Sequence, residues 1–524
     1  MDAQSLVQKE RVISVRPVQG MWTFDPAQHV PDGASPDMYN FQVYSGVLRK
    51  RPGFRLYGKV QPGSPITGVT SVQDTNGQTY LYATTATNLW WYNPATDNWE
   101  MMSGPALTGT NEDLFSFETS ENCLVFCQGI DNIMRLPLGT TTYAELSPES
   151  FPAKYLCRWN GRLYAGHTLE MTLRLPYRLR WPVFNDHTNW TGLGSGFVDL
   201  TDEPTSIRQL RKLLSTMVIY NEKSVYSMTT TGVATPPHQI DLVVKNLGLY
   251  SPFSVWEYNI QHFLLGTDNG QIFNGMQMVP MFTPIRDTMY NELNPISQFT
   301  NFGIVLYESQ EYVCFASVDE FAVPNKAWAF NFTRGIVYPW TFVKGHKCAC
   351  MHKLDSQSPM IQDLIGTIEE QTYPIMSSFL LETYPAMMTG HENGNIYRWG
   401  LAFPNDDGAP ITSRWTSRDF VARDIDPILD NRMVTLRGVG IKYLDQGTPF
   451  TLDFYYSTNY GSAWQGPYTM VLGGLAAWVM DDAFLSQQIT GKRVRFKFEH
   501  TSATERPVII ELSPVLETRG QMIQ

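Results

Sequence analysis

The chain has 524 residues, of which 43% are hydrophobic, 13% aromatic and only 17% charged, with a net charge of −11. This composition excludes whole-chain disorder. The acidic balance excludes a protein that grips nucleic acid by its phosphates, which takes clustered Lys and Arg, though not one that nucleic acid merely passes through. The N-terminal stretch "MDAQSLVQKERVISV" has no apolar h-region, so no signal peptide is expected, and residues 1–40 read as an arm. The six cysteines, Cys123, Cys127, Cys157, Cys314, Cys348 and Cys350, are too sparse and irregular for a disulfide framework and imply a chain that stays reduced in a cytoplasm.

From residue 41 to 410 the chain reads as short strands. The run "GVLRKRPGF" (46–54) is the one dense basic stretch, a solvated strand end or a contact for an acidic neighbour. "LWWYNPATDNWE" (89–100) looks like strand, turn and strand, the close of a propeller blade. Asn-Gly, the strongest short hairpin signal because a type I′ turn needs positive φ at both central residues, occurs at Asn76-Gly77, Asn160-Gly161, Asn269-Gly270 and Asn393-Gly394. Opening strands begin near Ile66, Leu114, Lys154, Ser206, Pro252, Gln298 and His346. Their spacing of roughly 45 residues is the period of a four-stranded blade. The expected fold is therefore all-β, a β-propeller of about seven blades with six to eight open, and an array of β-sandwiches as the alternative. Two segments exceed a minimal blade: residues 167–204 and residues 353–386. Loops of that length serve a subunit contact or a function such as gating or fibre docking.

Beyond about residue 410, "FTLDFYYSTNYGSAW", "RVRFKFEH" and "VIIELSPVLET" alternate with period two, the texture of a separate β-sandwich over 411–524. Ser457 to Trp464 resembles an Asp-box hairpin with Asn459 in place of Asp, a folding device whose polar side chain caps the turn. The longest weakly polar run, "VLGGLAAWVM" (471–480), is too short to span a bilayer.

Candidate chemistry is thin. His346, Cys348, Cys350 and His352 alternate along one strand and are zinc-type ligands. Same-face neighbours lie about 6.6 Å apart, so four ligands from one straight strand cannot close a tetrahedron. An inner blade strand with buried thiols is the reading adopted, for this run and for Cys123 and Cys127. The adjacent acids Asp406-Asp407, Glu369-Glu370 and Asp481-Asp482 sit in loop-like contexts and read as solvated turns. "GLGSG" (192–196) lacks the Lys and the strand-to-helix setting of a phosphate loop. Trp90, Trp91, Trp99, Trp181, Trp190, Trp340 and Trp399 read as inter-blade packing, with carbohydrate stacking as the functional rival. No catalytic, cofactor-binding or metal residue is assigned, and no enzyme activity is expected.

"PDMYNFQVYSGVLRKRPGFRLYG" resembles the N-terminal signature of tail hub or nozzle proteins of short-tailed bacteriophages, the packaged-DNA stabilisation type. The matching residues are Asn40, Gly46, Leu48, Arg51, Pro52 and Gly53. "YRLRWPVFNDHTNWTGLGSGFVDLTDE" is similar to a second pattern of that family, held here by Arg178, Arg180, Trp181, Trp190 and Asp199. The likeness covers residues 35–290; beyond them it is one of texture. It implies a homo-oligomeric ring, a hexamer, in the virion tail, assembled in the host cytoplasm below portal and adaptor proteins. Fibres or spikes would be anchored on it, and phage DNA would pass through its channel without sequence-specific binding. Six copies at −11 give −66, a surface along which DNA slides and does not stick. Two rivals remain: a carbohydrate-binding or carbohydrate-active propeller, expected as monomer or trimer with an aromatic cleft, and a kelch-like adaptor. The adaptor needs a diglycine in each blade, and the chain's one diglycine, at 473–474, lies outside the propeller.

Overall fold

The computed structural model describes residues 9–233, 237–354, 384–429, 432–446, 448–474 and 477–522. Six four-stranded antiparallel sheets follow one another along the chain, and a seventh unit of four antiparallel strands forms one end of a ten-stranded sheet. Their first strands are Ile66–Gln73, Ser116–Ser120, Ala153–Trp159, Ile207–Leu213, Trp256–Tyr258, Phe302–Leu306 and His346–His352. The predicted starts fall within two residues of five of these and four residues before Trp256 and Phe302. First strands of successive sheets touch in cyclic order, and His346–His352 returns to Ile66–Gln73, so the sheets form the blades of a closed propeller-like ring. Closure hides sheet edges that an open array would expose.

The second strand of a blade lies between neighbours in its own sheet and is covered on both faces by adjacent blades. It is therefore mostly buried, and Cys123–Cys127 and Glu311–Ala316 are buried at every position. Trp99, Trp181, Trp190, Trp340 and Trp399 are buried among these packed faces, whereas Trp90 and Trp91 are half-buried. Of the four Asn-Gly turns, only Asn160-Gly161 has both residues at positive φ, 45° and 71°. At Asn76-Gly77 the turn is instead organised by Asp74, whose Oδ1 accepts the N–H groups of Asn76 and Gln78. At Asn269, Oδ1 accepts the Phe282 N–H.

Two domain boundaries differ from the sequence reading. The fourth strand of blade 7 is Gly53–Leu56, paired Gly53↔Gly400 to Leu56↔Tyr397, so a segment near the N-terminus closes the ring. The sandwich is discontinuous. One sheet holds Ala409–Thr416, Arg495–Ser502, Phe450–Ser457 and Gln465–Leu472, joined by Met38–Tyr39. The other holds Arg432–Gln446, Ala477–Gly491 and Val508–Met522, joined by Lys9–Val12 and the hairpin Phe41–Tyr44/Val47–Lys50. Of the expected N-terminal arm, residues 1–8 lie outside the described residues, strands Lys9–Val12 and Met38–Tyr39 pair with the sandwich, and 41–50 belong to the sandwich and not the propeller. Their partners lie hundreds of residues away, where local periodicity carries no signal. One hydrophobic core runs unbroken from Val434 and Leu512 of the sandwich to Phe315, Trp340 and Trp399 of blades 6 and 7.

Residues 167–204 are the outer half of blade 3, with strands Leu173–Trp181 and Gly196–Asp199 joined by a long loop, so they extend a blade and do not interrupt one. Of 353–386, residues 355–383 lie outside the described residues, Glu369-Glu370 among them. The Asn459 hairpin caps as its motif requires: Asn459 Oδ1 accepts the Ala463 N–H at 3.0 Å. Among the described residues, no helix is long and apolar enough to cross a membrane.

Candidate functional site

The first set of signature residues meets where the sandwich joins blade 7. Ser45 and Gly46 take positive φ, 50° and 80°, and form the two-residue turn between Phe41–Tyr44 and Val47–Lys50. Leu48 is buried in the shared core. Arg51 is itself buried, and every arm of its guanidinium is engaged. Nε donates to Asn40 Oδ1 at 2.9 Å, while Nη1 and Nη2 grip the Asp406 carboxylate at 2.9 and 2.6 Å. The Pro52 and Thr341 carbonyls take the remaining donors. Asn40 in turn donates to Thr341 Oγ1 and the Thr412 carbonyl, tying blade 6 to the sandwich. A Cβ on Gly53 would stand 2.0 Å from the Asn405 carbonyl oxygen, so only glycine lets the chain pass there. Asp406 is therefore a structural counter-ion and not a solvated turn acid.

The second set lies in blade 3. Arg178 holds Asp199 in a two-bond fork at 2.7 and 2.8 Å, and both Arg178 and Arg180 reach Glu170, at 3.3 and 3.0 Å. Trp181 packs edge-on against His238, and Trp190 edge-on against Phe151. The two signature sets do not converge on a common site.

Where the sandwich hairpin faces blade 6, Glu311 is fully buried and accepts from Tyr338 Oη, Gln42 Nε2 at 2.7 Å and Ser309 Oγ at 2.9 Å. Burial pushes its carboxyl up to about 7, against the opposing pull of those donors and of Arg49.

The zinc-type run is dispersed. His346 sits in a box of Phe54, Phe315, Phe342, His391 and Trp399, and among the described residues neither ring nitrogen has a hydrogen-bond partner. Burial, then the His391 and Arg51 charges, hold it well below the usual histidine range. His352 Nδ1 meets Ser71 Oγ at 2.9 Å, and burial pushes the Cys348 thiol up to about 12. Among the described residues no group of three or more His, Cys, Asp or Glu is placed to hold a metal.

What remains is the cavity on the propeller axis, about 390 Å³, lined by inner strands and the segments leading into them. Within each blade the inner strand pairs on its outward side alone, and neighbouring blades are tied near the axis by the bridge between Phe302 and Phe253 and by the Phe115 N–H, which donates to the Thr67 carbonyl. The charged lining groups are Arg211 and Lys347, with Trp256 and Tyr307 as the polar aromatics. Near Arg211 stand Glu118, which accepts the Thr119 and Arg158 N–H groups, and Glu257; burial raises both carboxyls. Leu114 and Phe253 also line a second, smaller pocket that contains Lys154, so they stand between the two spaces. No protein-family model and no curated protein matches the chain. Among solved structures the chain is similar to the computationally designed Ika8 protein, with 9% identity, 67% of this chain and 100% of that chain covered, and a TM-score of 0.36.

Sequence reasoning singled out neither Lys347, Arg211 nor Glu311. Lys347 lies inside the His346–His352 run but between the residues that drew attention, and a lone Lys or Glu within a strand reads as solvent-facing. The usable signal is a charge inside an otherwise apolar blade strand, as in "HKCACMH" and "EYVCFA".

Proposed function

We propose that the chain is a structural subunit of the tail nozzle or hub of a short-tailed bacteriophage. In this reading it assembles into a ring, a hexamer, whose shared channel conducts and retains phage DNA and whose outer surface anchors fibres or spikes. The observation that carries the reading is the ordered set of signature residues, Asn40 to Gly53 and then Arg178 to Asp199, each of which has a structural role. A low charge content and exposed apolar side chains such as Met171, Leu193, Ile296 and Val343 suit large permanent interfaces. The axial cavity has the volume of a small-molecule site. It cannot admit a duplex whose major groove alone is about 12 Å wide, so the conduit runs between copies and not through a propeller.

The subunit acts by shape and charge, without catalysis: an acidic lining lets DNA slide under pressure. Virions assembled without this chain should package DNA and then lose it, read as the nuclease-sensitive fraction of the genome. Particles that retain their genomes would overturn the reading. A carbohydrate-binding propeller is the second reading, favoured by Trp256 and Tyr307 on the axial cavity; it calls for a monomer or trimer.

A further inference from the structure

Lys347 is 2% exposed, yet its ammonium donates to one acceptor, the Asn111 carbonyl at 2.6 Å. No carboxylate lies within ion-pair distance of it among the described residues. An ammonium carries three donors, and a buried charge is strongly unfavourable unless it is matched. Arg211 lines the same cavity from blade 4 and makes no hydrogen bond or close ion pair among the described residues. Its five donors are open.

The surroundings favour negative charge. Near Arg211 the cations Arg158 and Lys212 stand with the acids Glu118 and Glu257. Beyond Leu114 and Phe253, Lys154 makes no side-chain hydrogen bond among the described residues; Arg174 and Arg208 stand near it with the acids Glu112 and Asp113, and Arg208 is itself paired with Glu222. The two charged residues that line the axial cavity are thus both cations, in a chain whose net charge is −11. Thr70 and the rings of Trp256 and Tyr307 add a hydroxyl and an aromatic face to the lining, while the Ser71 and Ser116 hydroxyls are engaged with His352 and the Leu156 N–H. Small-molecule sites combine such a shape with a few polar anchors.

We propose that the axial cavity is a binding site for a small anion bearing carboxylate or phosphate oxygens, held by Lys347 and Arg211. The guanidinium fork suits a planar or tetrahedral oxyanion, and the ammonium acts as a point charge. The site goes beyond the ring reading and would serve a monomer as well as a ring.

The test is calorimetric titration of the full chain at low salt with inorganic phosphate and, separately, with glucuronate. At least one probe should bind saturably: phosphate alone assigns a phosphate-bearing ligand, and glucuronate alone an acidic sugar. Arg211→Gln and Lys347→Met should each weaken that binding about tenfold or more. Neither should lower the ligand-free melting temperature, because Arg211 makes no hydrogen bond and Lys347→Met removes a buried, unmatched charge. If Lys347→Met does not fold, Arg211→Gln decides alone. Absence of saturable binding by either probe, or unchanged binding in Arg211→Gln, overturns the proposal.

Discussion

Two buried cations of this protein have opposite surroundings. Arg51, at the seam between sandwich and propeller, has a carboxylate, an amide and two carbonyls around its guanidinium. Lys347, on the propeller axis, has one carbonyl. A buried charge whose partners all come from the fold belongs to the fold's own integrity. One whose partners are missing is held in place by neighbouring packing and keeps donors for something else.

The largest expected effect breaks the first of the two. Arg51→Ala should cost about 3–5 kcal/mol in denaturant unfolding, because it strands Asp406 and Asn40 in a buried seam. Arg51→Lys should recover little, since a point charge cannot reproduce the fork. Lys347→Met should cost nothing on the same measurement. Equal losses at both positions would remove the distinction.

The same seam carries Glu311, the sharper probe of how blade 6 holds the sandwich hairpin. Its carboxyl is raised from 4.5 to about 7, so between those values the folded chain keeps a proton that the unfolded chain releases. Its contribution is fully present below about pH 4.5 and is lost as pH rises through about 7, a change on the order of 3 kcal/mol. Glu311→Gln should abolish that dependence, measured as unfolding free energy at pH 5, 6, 7 and 8. A variant with the wild-type profile would show that this carboxyl does not titrate at the seam.

A smaller effect belongs to His346, buried close to Arg51 and without a side-chain hydrogen bond among the described residues. Its folded pKa is depressed, so its contribution is present above about pH 6.5 and is lost as pH falls and the unfolded chain takes the proton. His346→Leu should leave stability near neutral pH almost unchanged and flatten the decline toward pH 5 by about 1–2 kcal/mol. An unchanged acid limb would place the sensitivity in other histidines.

Much of the ring was legible before any coordinates. The recurrence of opening strands at intervals of roughly 45 residues marked every blade. Closure was not legible, because Gly53–Leu56 pairs with a strand more than three hundred residues away, and nothing in four residues announces such a partner. The N-terminal hairpin was assigned to the propeller for the same reason. At the seam, the motif residues Arg51, Pro52 and Gly53 were visible, but their counter-ion Asp406 read as a solvated turn acid. At the axis, Lys347 and Arg211 looked like ordinary strand cations, since burial and the lack of an acidic neighbour are properties of the closed ring.

The central claim is that this chain works as a multi-copy ring. It is tested most directly by the native mass of the protein, alone and with the proposed tail partners. The account expects a discrete closed assembly, six copies of the 59.6 kDa chain, seen as rings by electron microscopy. A strict monomer under both conditions would contradict it.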